Sequence, residues 1–255
     1  MKLWQASEGS GPPLLLLHGW GLHSGVWEPL LPALRERFTV IRIDLPGHGL
    51  SEPPPLTVGA AALGDWARAL LEVAPPRATW LGWSLGGLIA QQAALQAPQR
   101  VSALRLVAST PCFVQRPDWP HAMPRATFRQ FAAALRQDPQ ATLKRFLALQ
   151  VRGADDPRAT LRRLQQALAQ RPPAAPTGLA SGLEILLHAD LCAALADLAV
   201  PAAALLGARD TLVPAALADA LPALAPDVRV RLLEGAGHAP FLSHPQAFLE
   251  WLGDG

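Results

Sequence analysis

Short aliphatic runs recur along the chain between segments rich in glycine, proline and polar residues. Runs of this length, bounded by turn signals, are typical of buried strands. Because the runs are continuously apolar rather than alternating, they favour parallel strands that are covered on both faces. The pattern predicts strands at Leu14–Leu17, Thr39–Ile43, Ala78–Trp83, Ala103–Ala108, Ala202–Leu206 and Val228–Leu233.

Amphipathic stretches between several of these runs predict helices. The predicted helices cover Val58–Val73, Leu85–Gln96, Ala215–Leu224 and Gln246–Leu252. Strand alternating with helix indicates an α/β fold, with a mostly parallel central sheet and helices on both of its faces.

The alternation stops after Ser109 and resumes at Val200. The segment between them has no convincing strand pattern and instead predicts helices that are separated by proline-rich joints. These helices cover Arg125–Gln137, Gln140–Val151, Arg158–Gln170 and Leu179–His188. We therefore expect residues 110–199 to form a helical cap inserted between two late strands, above a core made of residues 1–109 and 200–255.

Composition narrows the class of protein. The chain has 255 residues, 50% of them hydrophobic and 16% charged, with a formal net charge of +2, which excludes an intrinsically disordered chain. Its two cysteines, Cys112 and Cys192, are too few for a disulfide scaffold. No apolar run approaches the roughly 20 residues of a membrane-spanning helix, and the N-terminus lacks a signal-peptide pattern. We expect a cytoplasmic monomer that does not bind membranes.

Positive charge is concentrated in the expected cap. Between Arg116 and Arg171 there are eleven Lys or Arg residues against four Asp residues, while the rest of the chain carries eleven basic and sixteen acidic residues. This division is compatible with ordinary solvated helix faces, or with a docking surface for an acidic partner. Nucleic acid is disfavoured as a partner, because the core is acidic and no nucleic-acid-binding motif is visible.

The sharpest chemical signal is the segment Gly82-Trp83-Ser84-Leu85-Gly86, which ends one predicted strand and begins one predicted helix. This is the strand–turn–helix context of the Gly-x-Ser-x-Gly nucleophile elbow. Glycines are needed there because the turn strains the backbone and packs the helix closely on the strand. The segment predicts Ser84 as a nucleophile; the alternative is an ordinary glycine-rich turn.

A serine hydroxyl needs a base to act as a nucleophile at neutral pH, and the chain order in such folds is serine, acid, histidine. His238 lies in a glycine-rich loop after the last predicted strand and is the preferred base. His244 is better explained as a surface residue at the start of the last helix. Asp210 follows the strand Ala202–Leu206 and is the preferred acid. The neighbouring acidic residues that we interpret as solvated charges are Asp190, Asp197 and Asp219.

An ester-cleaving site of this type also needs donors for the negative charge that develops on the carbonyl oxygen. One donor is the backbone N–H after the nucleophile, here Leu85, and the other comes from an early loop after a strand. The segment His18–Gly21 is that loop, and it predicts the N–H of Trp20 as the second donor. We interpret His18 and His48 as structural, and the turn from Asp44 to Gly49 as scaffold.

These motifs stand in the order that is found in the α/β-hydrolase superfamily, which the chain resembles over essentially its whole length. It closely resembles the family of pimeloyl-[acyl-carrier protein] methyl ester esterases of biotin synthesis. The segments that carry the closer resemblance are His18–Leu22, Trp80–Leu88, Ala108–Phe113, Arg145–Gln150, Gly182–Leu186, Gly237–Phe241 and Ser243–Pro245.

The resemblance implies a serine carboxylesterase that removes a methyl group from a carrier-bound dicarboxylate, without a metal or an organic cofactor. It also implies that Arg145, Arg158 and Arg162 hold the acidic acyl carrier protein, while Ala141 stands where the family has a further basic residue. The residues implied to contact the substrate are Trp20, Ser84, Leu85, Phe146, Leu147, Ala148, Leu149 and Gln150. For the last five, the alternative is plain packing of a cap helix.

Two other functions stay open on the sequence alone. A general carboxylesterase or lactonase for short acyl chains would use the same catalytic groups, because specificity resides in the cap and the pocket. A non-catalytic binding module with a hydrolase fold usually lacks one of the three catalytic side chains. Here Ser84, Asp210 and His238 are all present.

Overall fold

The computed structural model describes residues 1–54, 59 and 61–254. In these ranges seven strands form one sheet, in the order β1-β3-β2-β4-β5-β6-β7. All neighbours are parallel except β1, which runs antiparallel to β3. The strands are β1 (Gln5–Glu8), β2 (Pro13–Leu17), β3 (Thr39–Ile43), β4 (Ala78–Trp83), β5 (Val101–Val107), β6 (Ala202–Gly207) and β7 (Arg229–Leu233).

Helices connect the strands and fill the long segment between β5 and β6. The α-helices are α1 (Leu31–Leu34), α2 (Ala61–Val73), α3 (Leu85–Gln96), α4 (Arg125–Gln137), α5 (Pro139–Gln150), α6 (Pro157–Leu168), α7 (Pro176–His188), α8 (Leu217–Leu224), α9 (Pro240–Ser243) and α10 (Pro245–Gly253). Short 3₁₀ helices cover Ser24–Leu30, Pro98–Arg100 and Ala194–Asp197. Within the described ranges, no helix is long and apolar enough to cross a bilayer.

The predicted α/β architecture is confirmed. Each predicted strand is present, with ends that differ by at most two residues from the expected ones. The sequence pattern does not predict β1, because this edge strand has four mostly polar residues that alternate between exposed and half-buried. Helix α2 begins at Ala61, and its predicted start at Val58 lies outside the described residues.

The sheet separates two hydrophobic clusters, because successive side chains of a strand point to opposite faces. In β2, Leu15 and Leu17 pack on the side of α2, α3 and α8, whereas Leu14 and Leu16 pack on the side of α1 and α10. Helices therefore cover both faces of the sheet, and the parallel strands are buried, as their continuous apolar pattern predicts.

The helices α4, α5, α6 and α7 form the expected helical insertion between β5 and β6, and we call them the cap helices. Each begins with proline at its first position or directly after one, where the missing N–H costs nothing. Asp138 and Asp156 cap α5 and α6 by accepting hydrogen bonds from the N–H groups of Ala141 and Ala159. The division into a core and a cap at residues 110 and 199 stays a prediction.

Arg171, which lies between α6 and α7, links the cap helices to the core. Its Nη1 atom is 2.9 Å from both carboxylate oxygens of Asp44 and 2.7 Å from Ser24 Oγ. Its guanidinium carbon is 3.8 Å from the ring centroid of Trp4. The Asp44 side chain is fully buried and also accepts hydrogen bonds from the backbone N–H groups of Ser24 and Leu50. The turn after β3 is therefore scaffold for the cap as well as for the sheet.

Candidate active site

The predicted catalytic residues all follow strands, at the edge of the sheet where parallel strands end. Trp20 follows β2, Ser84 follows β4, Asp210 follows β6 and His238 follows β7. The topology therefore collects side chains that are far apart in sequence along one edge.

Ser84 occupies a strained turn between β4 and α3. Its φ of 54° and ψ of −118° lie in a region that residues with a side chain rarely adopt. The flanking glycines permit this turn, because a Cβ atom at Gly82 would lie 2.3 Å from the carbonyl oxygen of Gly86. A Cβ atom at Gly86 would likewise lie 2.6 Å from the carbonyl oxygen of His18. Only glycine fits at these two positions, because the backbones of neighbouring segments are in contact there.

His238 and Asp210 form a buried pair. The imidazole Nδ1 lies 2.7 Å from Asp210 Oδ2, and each side chain is only 1% exposed. The other carboxylate oxygen accepts hydrogen bonds from the backbone N–H groups of Leu212, at 2.7 Å, and Val213, at 3.1 Å. Because an ionised carboxylate can only accept, Nδ1 carries a proton, and in the neutral ring Nε2 has a free lone pair.

The Nε2 atom of His238 is buried and, within the part of the chain that the structure describes, has no hydrogen-bond partner, Ser84 Oγ included. Buried polar atoms are normally hydrogen-bonded, so an unpaired one needs a physical explanation. The residue is held beside the elbow: Trp83 Nε1 donates to the His238 carbonyl at 2.7 Å, and the two ring centroids are 5.8 Å apart. The arrangement leaves an unpaired base next to the turn that carries Ser84.

The loop after β2 packs against the elbow. A Cβ atom at Gly19 would lie 3.4 Å from Ser84 Cβ. Neither the backbone N–H of Trp20 nor that of Leu85 donates to an acceptor among the residues that the structure describes. The two groups that the sequence predicts as oxyanion donors are therefore both unpaired, one on the loop and one at the start of α3.

Two buried histidines fix this loop. The Gly21 N–H donates to His48 Nε2 at 3.1 Å, and the Leu45 N–H donates to His18 Nε2 at 2.9 Å. Each Nδ1 atom in turn faces a backbone carbonyl oxygen, at 2.8 Å for His18 and 2.9 Å for His48. Rings that accept at Nε2 must be neutral. Burial accordingly lowers the pKa of His18 to about 3, with a further contribution from His48, and lowers the pKa of His48 to about 4.

Ser84 opens into an apolar cavity, here called the acyl cavity, that is bounded by the cap helices. It contains about 540 Å³ of empty space counted to its mouth, a typical size for a small-molecule site. The aromatic residues that line it are Trp20, Phe113, Phe128, Phe131 and Phe146. Trp20 meets Phe131 and Phe146 edge-on, with ring centroids 5.3 and 5.0 Å apart. Among the described lining residues, only Ser84 and Thr127 are polar.

The stretch Phe146–Gln150, which the family resemblance implies contacts the substrate, is distributed around α5 and does not face a single cavity. Phe146 and Leu149 line the acyl cavity, because residues three apart share a face of α5. Leu147 lines a different cavity and Ala148 is exposed. Gln150 is buried, with its Oε1 atom unpaired among the described residues, and it does not line the acyl cavity. Five consecutive helical residues point in directions that cover the whole circumference of the helix.

Most of the residues that line the acyl cavity are not among those that the sequence predicts. Phe113, Leu183 and Leu186 lie in segments that carry the family resemblance, and this resemblance is a signal that could have identified them as cavity residues. Phe128 and Phe131 stand three residues apart on α4, and this spacing places both on one face. Nothing in the sequence singles out Leu212, which contacts the cavity from the loop after Asp210.

The three predicted docking arginines lie on the exposed surface of the cap helices. Arg145 is on α5, and its Nη2 atom donates to Thr142 Oγ1 at 3.3 Å. Arg158 and Arg162 are one turn apart on α6. In the described ranges none of the three forms an ion pair. Their charges are therefore available to a partner.

The residues that the sequence offers as alternatives to His238 and Asp210 lie away from Ser84. The His244 ring contacts Ser243 Oγ and lies 3.5 Å from Asp155, at the start of α10. Asp190 pairs with Arg116 at the end of the cap helices. Among the described side chains, no group of three His, Cys, Asp or Glu residues is arranged to hold a metal ion.

Residues 12–245 match the sequence family that is described as the alpha/beta hydrolase fold. An esterase from Exiguobacterium antarcticum has the same fold, with a TM-score of 0.86 at 24% identity, over 98% of this chain and 94% of that one. The chain therefore belongs to the α/β-hydrolase family.

Closer relatives place it more narrowly. A pimeloyl-[acyl-carrier protein] methyl ester esterase from Xylella fastidiosa (strain 9a5c) is 48% identical over 238 residues, which are 92% of this chain and 91% of that protein. An esterase of the same name from Klebsiella pneumoniae (strain 342) is 45% identical over 249 residues, 97% of this chain and 95% of that protein. Within the α/β-hydrolases, the chain belongs to the family of these esterases.

Proposed function

We propose that the protein hydrolyses the methyl ester of pimeloyl-[acyl-carrier protein], a step of biotin synthesis that yields methanol and a carrier-bound acyl chain with a free carboxylate. The observation that carries the chemistry is the buried and unpaired Nε2 atom of His238, oriented by Asp210 beside the elbow of Ser84. The substrate is inferred from the sequence similarity to esterases of this name.

In the first half of the reaction, Ser84 Oγ attacks the ester carbonyl carbon while His238 Nε2 takes the hydroxyl proton. Asp210 keeps the imidazole in the required tautomer and stabilises the imidazolium that forms. The backbone N–H groups of Trp20 and Leu85 donate to the developing oxyanion. When the tetrahedral intermediate collapses, the methoxy group takes the proton from His238 and leaves as methanol.

In the second half, a water molecule takes the place of methanol. Nε2 of His238 removes a proton from it, and the resulting hydroxide attacks the acyl-serine carbonyl. The same two N–H groups stabilise the second oxyanion, and Ser84 regains its proton from His238 as the acid is released.

The acyl cavity suits the neutral ester and not the ionised product. Its lining is apolar except for Ser84 and Thr127, so the methylene chain of the substrate buries surface there favourably. A carboxylate in such a cavity is disfavoured, because an unpaired charge loses its hydration. Hydrolysis therefore turns a group that the cavity holds well into one that it holds poorly, which favours product release.

The surface charge of the cap helices supports an acidic carrier as partner, with Arg145, Arg158 and Arg162 as docking residues. Reversing Arg158 and Arg162 to Glu should lower kcat/KM for the carrier-bound ester by about tenfold at low salt and leave a free ester unaffected. Added salt should reproduce the defect in the wild type. The control is Arg68→Glu on α2, which is also exposed. Equal losses on the free ester would reject the docking role.

The function itself is tested by comparing wild-type kcat/KM for the carrier-bound pimeloyl methyl ester with that for dimethyl pimelate. We expect the carrier-bound ester to be preferred by about tenfold or more, because docking adds binding energy that a free ester lacks. Equal values, or a preference for the free ester, would instead indicate a general carboxylesterase.

A further inference from the structure

The turn between α5 and α6 lies against the loop that carries Asp210. We call this turn, residues Arg152–Ala154, the cap turn. Gly153 has a φ of 86°, and a Cβ atom there would overlap the carbonyl oxygen of Arg209 and lie 2.8 Å from the Arg209 Cβ atom. The cap turn is therefore in backbone contact with the residue that directly precedes the acid.

The cap turn also lies against the loop that carries His238. A Cβ atom at Gly237 would overlap the carbonyl oxygen of Arg152 and lie 3.3 Å from the backbone nitrogen of Ala154. Gly237 directly precedes His238, just as Arg209 directly precedes the acid. A single turn of the cap therefore touches the backbone next to both members of the buried pair, and each contact requires a glycine.

The cap turn and the two loops are held together by further contacts. The Ala154 N–H donates to the Val151 carbonyl at 3.2 Å, and the side chains of both residues are buried. The two loops are also bonded to each other, because the Arg209 N–H donates to the Ala236 carbonyl at 2.9 Å. The three segments therefore form one packed unit, in which a displacement of one segment moves the others.

The ion pair beside the cap turn contributes less than the backbone contacts. Arg209 Nη1 donates to Asp155 Oδ1 at 2.9 Å, and His244 Nε2 lies 3.5 Å from the other oxygen of that carboxylate. The Arg209 and Asp155 side chains are 59% and 63% exposed, and exposed pairs contribute little to stability. The position of the loops is therefore fixed mainly by the close approach of the backbones.

We propose that the cap turn is a positioning element of the active site, which holds the Asp210 and His238 loops where their side chains meet; this rests on the catalytic roles proposed above. The distance of 2.7 Å between Nδ1 and Oδ2 requires both loops to be in place. A displacement of about 1 Å can lower an enzymatic rate by about 10²-fold. The cap then has two roles, because it forms the wall of the acyl cavity and also aligns the acid with the base.

Gly153→Ala tests the proposal, because the added methyl group displaces the backbone of Arg209. We expect kcat for dimethyl pimelate to fall by about 30-fold. KM should change by less than about twofold, because the described residues that line the acyl cavity do not include the cap turn. The matched control is Gly59→Ala, which adds the same group at a φ of 71°, where no described atom beyond its chain neighbours lies within 4 Å.

A spectroscopic measurement separates positioning from a simple loss of stability. The hydrogen bond from an imidazole Nδ1 to a carboxylate is short and charge-assisted, and its proton gives a far-downfield signal in the proton NMR spectrum. We expect this signal to move upfield or to broaden in Gly153→Ala and to stay unchanged in Gly59→Ala. Thermal melting establishes that both variants are folded at the assay temperature.

Val151→Ala is a second variant, which loosens the cap turn without adding a clash and keeps the test valid if Gly153→Ala does not fold. We expect kcat to fall by about fivefold, with KM nearly constant and the downfield signal broadened. The control is Val101→Ala, which truncates another buried valine, at the end of β5 that lies away from the active site. This control should keep the wild-type kcat and the wild-type signal.

The proposal would be overturned if the folded Gly153→Ala and Val151→Ala variants kept both the wild-type kcat and the wild-type NMR signal. A rise in KM alone, or an equal loss of kcat in Gly59→Ala, would overturn it as well. A wild type that cleaves dimethyl pimelate but not the carrier-bound ester would instead refute the proposed substrate. If the wild type hydrolyses no ester, the proposed function fails, and the NMR signal still tests the cap turn.

Discussion

At the scale of single residues, the chemistry depends on the tautomer of His238. Asp210→Asn keeps the size of the side chain but offers an amide that can donate to Nδ1, which moves the ring proton to Nε2 and removes the base. We expect kcat to fall by about 10⁴-fold with little change in KM. Steady-state kinetics on a free methyl ester measure both values, and a fall of less than about tenfold would contradict the role of Asp210.

His48 is predicted to act on the reaction through the loop that it fixes. His48→Ala removes the acceptor of the Gly21 N–H, which is adjacent to Trp20, and should lower kcat by about tenfold with KM nearly constant. His48→Gln supplies an amide oxygen as acceptor and should recover part of the loss. The control is His188→Ala, an exposed histidine on α7. An unchanged kcat in His48→Ala would show that the loop holds its position without this bond.

The sequence predicts the individual residues that stand in a recognisable catalytic motif, but it does not predict the contacts between side chains that are distant in the chain. Ser84, Asp210 and His238 could be proposed because each lies in the turn or loop after a strand, in a recognisable order. The pairing of Arg171 with Asp44 could not be foreseen, because nothing in either local sequence points to a partner more than a hundred residues away. The same holds for the hydrogen bonds that make His18 and His48 neutral acceptors.

At the scale of elements, the attachment of the cap helices depends on a buried ion pair. The Arg171 and Asp44 side chains are 9% and 0% exposed. Arg171→Ala leaves a buried carboxylate without its counter-charge, so we expect the free energy of unfolding to fall by about 3 kcal/mol. Urea unfolding followed by circular dichroism measures this change.

The comparison variant for this prediction is Arg68→Ala. Its pair with Asp65 on α2 has side chains that are 65% and 41% exposed, so its removal should change the free energy of unfolding by less than about 1 kcal/mol. If both variants lose the same small amount, the pair of Arg171 with Asp44 contributes no more than a surface contact.

The existence of the elements could be predicted because apolar runs and helical spacing are local properties. Prediction from local patterns fails at β1, because its mostly polar residues form a strand by pairing with the neighbouring β3. A related limit appears in α5, where the family resemblance implies substrate contacts for five consecutive residues. The turn of the helix places two of these residues at the acyl cavity, one at a different cavity, one in solvent and one in the protein interior.

At the scale of the whole molecule, stability should depend on pH through His18 and His48. Their pKa values of about 3 and about 4 in the folded chain lie below the ordinary 6.5, so below pH 6.5 the unfolded chain binds protons that the folded chain does not. The free energy of unfolding should therefore fall as the pH drops from about 6.5 to 4, by up to about 1.4 kcal/mol per pH unit for each ring.

Urea unfolding at pH 7, 6, 5 and 4.5 measures this slope, with His48→Gln as the variant that should lose about half of it. A free energy of unfolding that stays constant over the range would contradict neutral, buried rings at these positions.

The cavities are properties of the whole molecule, because each is built from several distant segments. Neither could be predicted from the sequence.

The proposed mechanism requires Ser84 to be the nucleophile that cleaves a carrier-bound methyl ester. It is tested most directly by measuring methanol release from pimeloyl methyl ester on its carrier, with the wild type and with Ser84→Ala. We predict one methanol per ester for the wild type, and for the variant a rate lower by about 10⁴-fold or more with carrier binding retained. Wild-type protein that releases no methanol would refute the proposed reaction, and a Ser84→Ala variant that keeps a substantial part of the rate would refute the role of Ser84.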